Sequence, residues 1–125
     1  MLSSDQRQII LKYKTFYQNI RSIKCPYFKN EPVFFNRKGF NHLLRKGRDP
    51  RAFNILIKRL SLLPYCGFVL TGSHTKIKYK VIKVNNHTAH FWGFNAFIDG
   101  KYMRLVVRQT NEGRKYFFSL FPIKH

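Results

Sequence analysis

Acidic side chains are the scarcest resource of this chain: 5 Asp and Glu stand against 24 Lys and Arg, a formal charge of +19 over 125 residues. Asp5, Glu31, Asp49, Asp99 and Glu112 are scattered singly. Nothing resembles the clustered carboxylates that hold Mg²⁺ for two-metal phosphodiester hydrolysis, so cutting of nucleic acid by this chain has to proceed without metal, and no cofactor is called for. Cysteine is nearly absent too. Cys25 and Cys66 lack metal-ligand spacing and a nearby Cys or His pair, and read as free packing thiols, not as a disulfide framework. Long apolar runs are missing: no stretch approaches the roughly 18 residues of a membrane span. The first apolar positions alternate with Gln, Arg and Lys, unlike a signal peptide, which points to a cytoplasmic protein with no membrane partner.

Aromatic residues, by contrast, are plentiful, with 13 Phe, 7 Tyr and one Trp in a chain that is 44% hydrophobic. That content is far too apolar for a disordered basic tail and predicts one folded domain over residues 1–125. Its natural partner is a polyanion, drawn by a field of one sign at salt-sensitive rates.

The first part of the chain reads as helical. Ser3 or Ser4 serves as N-cap, with Asp5 in the first turn and an apolar stripe at Ile9, Tyr13, Phe16, Tyr17, Ile20 and Ile23. Pro26 and Pro32 bracket an irregular link, after which Val33, Phe34 and Phe35 suit a short strand. Asn36 caps a second helix with Phe40, Leu43 and Leu44 inward, ending at Gly47. Asp49-Pro50 predicts the start of a third helix carrying Phe53, Leu56, Ile57, Leu60 and Leu63 and stopped by Pro64.

From residue 76 the period changes from helical to strand spacing. Strands are expected near 76–84, 88–98, 101–109 and 114–122, forming an antiparallel meander. Asp99-Gly100 is the strongest turn signal, and it sets Ile98 opposite Lys101 and Asn95 opposite Arg104. Carrying that register forward places Arg104 beside Ser119 and Arg108 beside Lys115. One face then holds Trp92, Phe94, Ala96, Met103, Leu105, Val107, Tyr116, Phe118 and Leu120 for the core. The other holds Phe91, Asn95, Tyr102, Arg104, Val106, Arg108, Lys115, Phe117, Ser119 and Phe121. The expected architecture is α+β, with N-terminal helices packed on one face of a four-stranded antiparallel meander.

Cleaving RNA without metal needs a base for the 2′-hydroxyl and cations for the phosphorane. Of the five histidines, His42 stands out. It lies about 200° round the second helix from Phe40, off the apolar stripe, among Lys38, Arg45 and Lys46. Those cations favour a neutral imidazole able to accept a proton. Arg45, Arg48 and Arg51 surround the turn after that helix as a phosphate grip. Arg104 and Arg108 can fork onto phosphate, Ser119 can orient it, and Asn95, Tyr102, Lys115 and Phe117 complete an RNA-binding face on which rings stack unpaired bases.

The motifs Cys25-Pro26-Tyr27-Phe28, Gly39-Phe40-Asn41-His42-Leu43, Arg59-Leu60-Ser61-Leu62-Leu63, Trp92-Gly93-Phe94, Leu105-Val106-Val107-Arg108-Gln109 and Phe118-Ser119-Leu120-Phe121-Pro122 together resemble the barnase–EndoU–colicin D–RelE-like ribonucleases of phages and toxin systems. The resemblance spans roughly residues 24–122. It implies a metal-independent endoribonuclease acting on tRNA or mRNA, at or away from the ribosome, as the toxin of a toxin–antitoxin pair. It implies catalytic roles for His42, Arg108, Ser119 and Arg104, and an acidic antitoxin or immunity protein as partner. The first helix, residues 1–23, falls outside the motifs and is free to serve that partner. The alternative is a non-catalytic nucleic-acid-binding module, a repressor or ribosome-associated factor. A third reading has the basic face take an acidic protein.

Overall fold

The computed structural model describes residues 2–72 and 76–124; His74 and His125 lie outside the described residues. Helix α1 runs Ser4–Ile20 and starts as its sequence dictates. The Gln6 amide donates to the Ser3 hydroxyl and the Ser3 amide to the Gln6 side chain, closing a capping box. The helix stops at Arg21, whose φ of 60° breaks the ladder, so Ile23 belongs to the next element. The buried stripe is Ile10, Tyr13, Tyr17 and Ile20, with Ile9 and Phe16 left exposed.

The link after α1 is more ordered than the two prolines suggest. Strand β1 (Ser22–Cys25) and strand β2 (Glu31–Phe34) form an antiparallel hairpin around a 3₁₀ turn at Pro26–Phe28. Lys29 and Asn30, both at positive φ, close it. Helix α2 (Arg37–Leu44) begins at Asn36, whose side chain accepts from the Gly39 amide at 3.2 Å. Gly47 does not terminate α2. It turns a tight hairpin between strand β3 (Arg45–Lys46) and strand β4 (Asp49–Pro50), with φ +64°. Asp49-Pro50 is therefore strand, and Ala52 precedes helix α3 (Phe53–Leu60). Pro64 falls in a 3₁₀ turn, Leu63–Tyr65, that leads into helix α4 (Cys66–Thr71), an element the Pro64 signal had hidden. The expectation that no stretch approaches a membrane span is corrected: Phe53–Thr71 is long and apolar enough to cross one by length and composition. In the fold this broken stretch supplies Leu56, Leu60, Leu62, Leu63, Cys66, Val69 and Leu70 to the core.

Four long strands follow: β5 (Lys76–Val84), β6 (His87–Ile98), β7 (Lys101–Thr110) and β8 (Lys115–Pro122). They form the expected meander as part of a larger sheet. The full order is β1-β2-β8-β7-β6-β5, with β2 parallel to β8 through Val33–Lys115 and Phe34–Tyr116. The fold is thus α+β with a mixed six-stranded sheet, and the purely antiparallel four-stranded sheet is corrected. The β6–β7 register matches expectation, Ile98 opposite Lys101 and Asn95 opposite Arg104, because Asp99 and Gly100 both take positive φ.

The β7–β8 register does not match. Val106 pairs with Ser119 but Val107 pairs with Phe117, so Phe118 is an extra residue in a β-bulge. Arg104 consequently sits beside Phe121 and Arg108 beside Tyr116. The bulge reverses the parity of the first half of β8. Phe117 enters the core at 1% exposure, and Lys115, at 8%, lies on the core side in an ion pair with Glu31 at 2.8 Å. Neither belongs to the open face assigned to them, while Tyr116 and Phe118 move onto it.

The core is closed by Tyr17, whose ring meets Phe35, Phe40 and Phe117 and whose hydroxyl donates to the Asn36 carbonyl at 2.7 Å. Gly39 allows α2 to approach β8. A Cβ there would stand 2.5 Å from the Tyr17 hydroxyl and 2.7 Å from the Phe117 carbonyl oxygen. Gly39→Ala should therefore lower unfolding free energy by about 1–3 kcal/mol. Adding Tyr17→Phe should not restore it, since the Phe117 carbonyl is backbone and cannot swing away. Urea titration checks both, and a Gly39→Ala midpoint equal to wild type would show that α2 does not press on β8.

Candidate functional site on the open face of the sheet

Three rows of side chains cross the open face. Lys80, Phe91, Arg108 and Tyr116 form one, Lys78, Gly93, Val106 and Ser119 the next, and Lys76, Asn95, Arg104 and Phe121 the third. Phe118 stands between the first two because the bulge adds it there. Its ring is the hub. It contacts the His42 ring at 4.3 Å between centroids and the Phe91 ring edge-on at 5.4 Å. The Arg108 guanidinium lies over Phe91 at 5.5 Å and over Phe118 at 5.7 Å.

His42 reaches this face from α2, and two further arginines come from α3 and the residue after β4. Arg51 donates to the His42 carbonyl at 3.2 Å. Arg59 donates to the Ser119 hydroxyl at 3.3 Å and lies over the Phe121 ring at 5.2 Å. Arg104 donates through Nε to Asn95 Oδ1 at 2.7 Å and lies 5.9 Å from the Phe121 centroid. None of these cations faces a carboxylate, since the one ion pair among the described residues is Lys115–Glu31 on the opposite side. Two guanidinium nitrogens, Arg51 Nε and Arg108 Nε, are buried without a hydrogen-bond partner. Uncompensated, partly desolvated arginines are costly to hold and attract anions.

The local field acts on His42. Its ring is open at the rim, but one face lies on Phe118, and this partial burial, followed by Arg108 and Arg51, holds its pKa below the ordinary 6.5. The imidazole is therefore neutral at pH 7. Burial, followed by Arg51, pulls the Arg59 guanidinium down to about 10, so the charge on α3 is held against its environment. A cavity of about 590 Å³ opens at this point, lined by His42, Arg108, Tyr116 and Phe118 and rimmed by Arg37 and Arg114.

Of the residues singled out in the sequence, His42, Arg108, Arg51, Arg104, Asn95 and Ser119 come together on this face. Ser119 is buried at 8% exposure and accepts from Arg59, so it positions that arginine. Tyr102 lies at the far end, against Phe97. Lys38 and Arg45 flank His42 on the outer side of α2, and Arg48 sits in the β3–β4 turn, where its carbonyl accepts from Arg45 at 3.2 Å. Lys115 and Phe117 are on the other face. Sequence reasoning missed Phe118, Tyr116 and Arg59. Phe118 depends on the bulge, which no local signal announces.

Compared with family models, with curated proteins and with solved structures, the chain matches none. The site must therefore speak for its own function.

Replacing the platform tests the electrostatics directly. Phe118→Ala should raise the His42 pKa toward 6.5 by wetting the ring, and Arg108→Gln should raise it less, by removing one cation. Two-dimensional ¹H–¹⁵N spectra of the imidazole nitrogens across pH 4–8 read both shifts. A wild-type midpoint above 6.5 would contradict the arrangement.

Proposed function

We propose that this protein is a metal-independent endoribonuclease. The observation that carries the reading is a neutral imidazole beside unpaired arginines on an aromatic face: His42 on Phe118, next to Arg108 and Arg51. His42 takes the proton of a ribose 2′-hydroxyl, and the oxygen attacks the adjacent phosphorus. Arg108, held between two rings, meets the charge that grows on the phosphorane. The 5′-oxygen leaves, protonated from water, and a 2′,3′-cyclic phosphate remains. The rings of Phe91 and Phe118 favour unpaired bases over duplex. The motif resemblance to the barnase–EndoU–colicin D–RelE-like ribonucleases supports the same reading, and with it a toxin role on tRNA or mRNA. An acidic antitoxin would find complementary charge at the groove between α1 and α2, where Arg7, Lys14 and Arg37 border Ile10, Leu11 and Leu44.

Single-turnover cleavage at saturating protein tests the proposal. Cleavage should persist in excess EDTA and leave DNA intact, for want of a 2′-hydroxyl. His42→Ala should slow the bound-state rate about 10²–10⁴-fold with little loss of RNA affinity. Because His42 must be neutral to act, the rate should fall as pH drops through its depressed pKa, below 6.5. Arg108→Ala should cost about 2–4 kcal/mol in the same rate. RNA retained without new termini would replace this reading with the non-catalytic RNA-binding module.

A further inference from the structure

A second cavity, of about 520 Å³, opens on the same face beyond Phe118 and plays no part in the proton transfer. Its walls are the rings of Phe91, Phe118 and Phe121, with Gly93 at its floor and Lys78, Lys80 and Arg104 as its charged groups. The chemistry of this lining is one-sided. Its charged side chains are all cations, and Asn95 Oδ1, opposite Arg104 in the sheet, accepts from Arg104 Nε at 2.7 Å. That bond orients the guanidinium and leaves its two terminal nitrogens as a fork. Gly93 gives it room, because a Cβ there would stand 3.2 Å from Arg104 Cδ.

Arg104 is also misplaced for the reacting phosphate. It lies four residues along β7 from Arg108, about 13 Å at strand rise, and the two guanidiniums sit over different rings, Phe121 for one and Phe91 with Phe118 for the other. The catalytic role expected for Arg104 therefore passes to Arg108, and Arg104 needs another ligand.

We propose that this cavity is a base subsite that selects guanine in single-stranded RNA, with Arg104 as its specificity residue. A pocket with ring walls accepts any base, so discrimination rests on the edge. Guanine presents two adjacent acceptors, O6 and N7, which match an arginine fork. Adenine and cytosine each bring an amino group toward donors, and uracil offers O4 without a neighbouring acceptor. Lys78 and Lys80, two strand positions apart on the edge strand β5, hold flanking phosphates without choosing among bases. The inference rests on the ribonuclease reading only for the RNA itself, since base selection does not require cleavage.

The test uses His42→Ala protein and fluorescein-labelled hexauridylate with one internal uridine replaced by guanosine, adenosine, cytidine or 7-deazaguanosine. Guanosine should bind about 10- to 100-fold more tightly than the others, including the 7-deaza analogue that lacks N7. Arg104→Lys, which keeps the charge and loses the fork, should reduce guanosine affinity to that of the other oligonucleotides, and circular dichroism confirms its fold. Asn95→Ala, which frees the guanidinium, should weaken the preference too. Equal affinity for all oligonucleotides overturns the subsite, and wild-type cleavage in parallel then shows that the ribonuclease reading stands. Guanosine preference with no wild-type cleavage upholds the subsite and removes the ribonuclease reading instead.

Discussion

One extra residue in β8 decides which side chains this protein shows to its ligand. The bulge opposite Val106 and Val107 sends Phe117 inward and leaves Phe118 and Ser119 on the open face. Inward, Phe117 stacks on Phe35 at 5.0 Å and meets Tyr17, so the contact between α1, α2 and the sheet depends on it. Outward, Phe118 carries both His42 and Arg108. A regular strand would keep strict alternation and could not turn both Phe117 and Leu120, three positions apart, into the core. The same residue shift that completes the core thereby assembles the site.

Charge is the second constraint, and aromatic rings answer it. With +19 on 125 residues, ion pairs cannot stabilise the arginines, and the fold uses guanidinium–ring contacts in their place. Arg59, Arg104, Arg108 and Arg114 each lie within 6 Å of a Phe ring. Such contacts contribute about 0.5–1 kcal/mol each at exposed sites. More to the point, they fix the direction of a guanidinium without neutralising it. A carboxylate would hold the arginine equally well and remove its attraction for phosphate.

Helices α1 to α3, the last four strands and the turn at Asp99-Gly100 were legible because their signals are local: caps, apolar period, and a dipeptide that tolerates positive φ. That Arg104 and Arg108 share the open face was legible for a related reason, since an arginine among rings on a strand stands out from a core pattern. What stayed hidden was non-local. The short strand near Val33 was legible, but strand β1 and the parallel docking of β2 on the free edge of β8 were not announced by residues 22–34. The run Tyr116-Phe117-Phe118 is aromatic at every position, so alternation carried no information about parity. Lys115 misled further, because a lysine reads as solvent-facing until Glu31 appears beside it, with Phe28 and Trp92 against its ammonium. Asp49-Pro50 failed where two signals compete, and the glycine at 47 favoured a hairpin.

These constraints converge on the unbound site. Arg51 and Arg108 each keep a buried nitrogen without a partner, and both lower the pKa of His42, so the face holds like charges together against their mutual repulsion. Such an arrangement costs stability that Tyr17, Phe117 and the sheet must supply from elsewhere. On the proposed function, a polyanion would offset that cost, because each phosphate would satisfy free donors and relieve repulsion among the cations. Under the proposed function, a bound phosphate would raise resistance to unfolding by linkage. The scarcity of acids is accordingly a structural requirement of the site: a carboxylate within reach of Arg108 or Arg51 would relax the strain and occupy the place of the ligand.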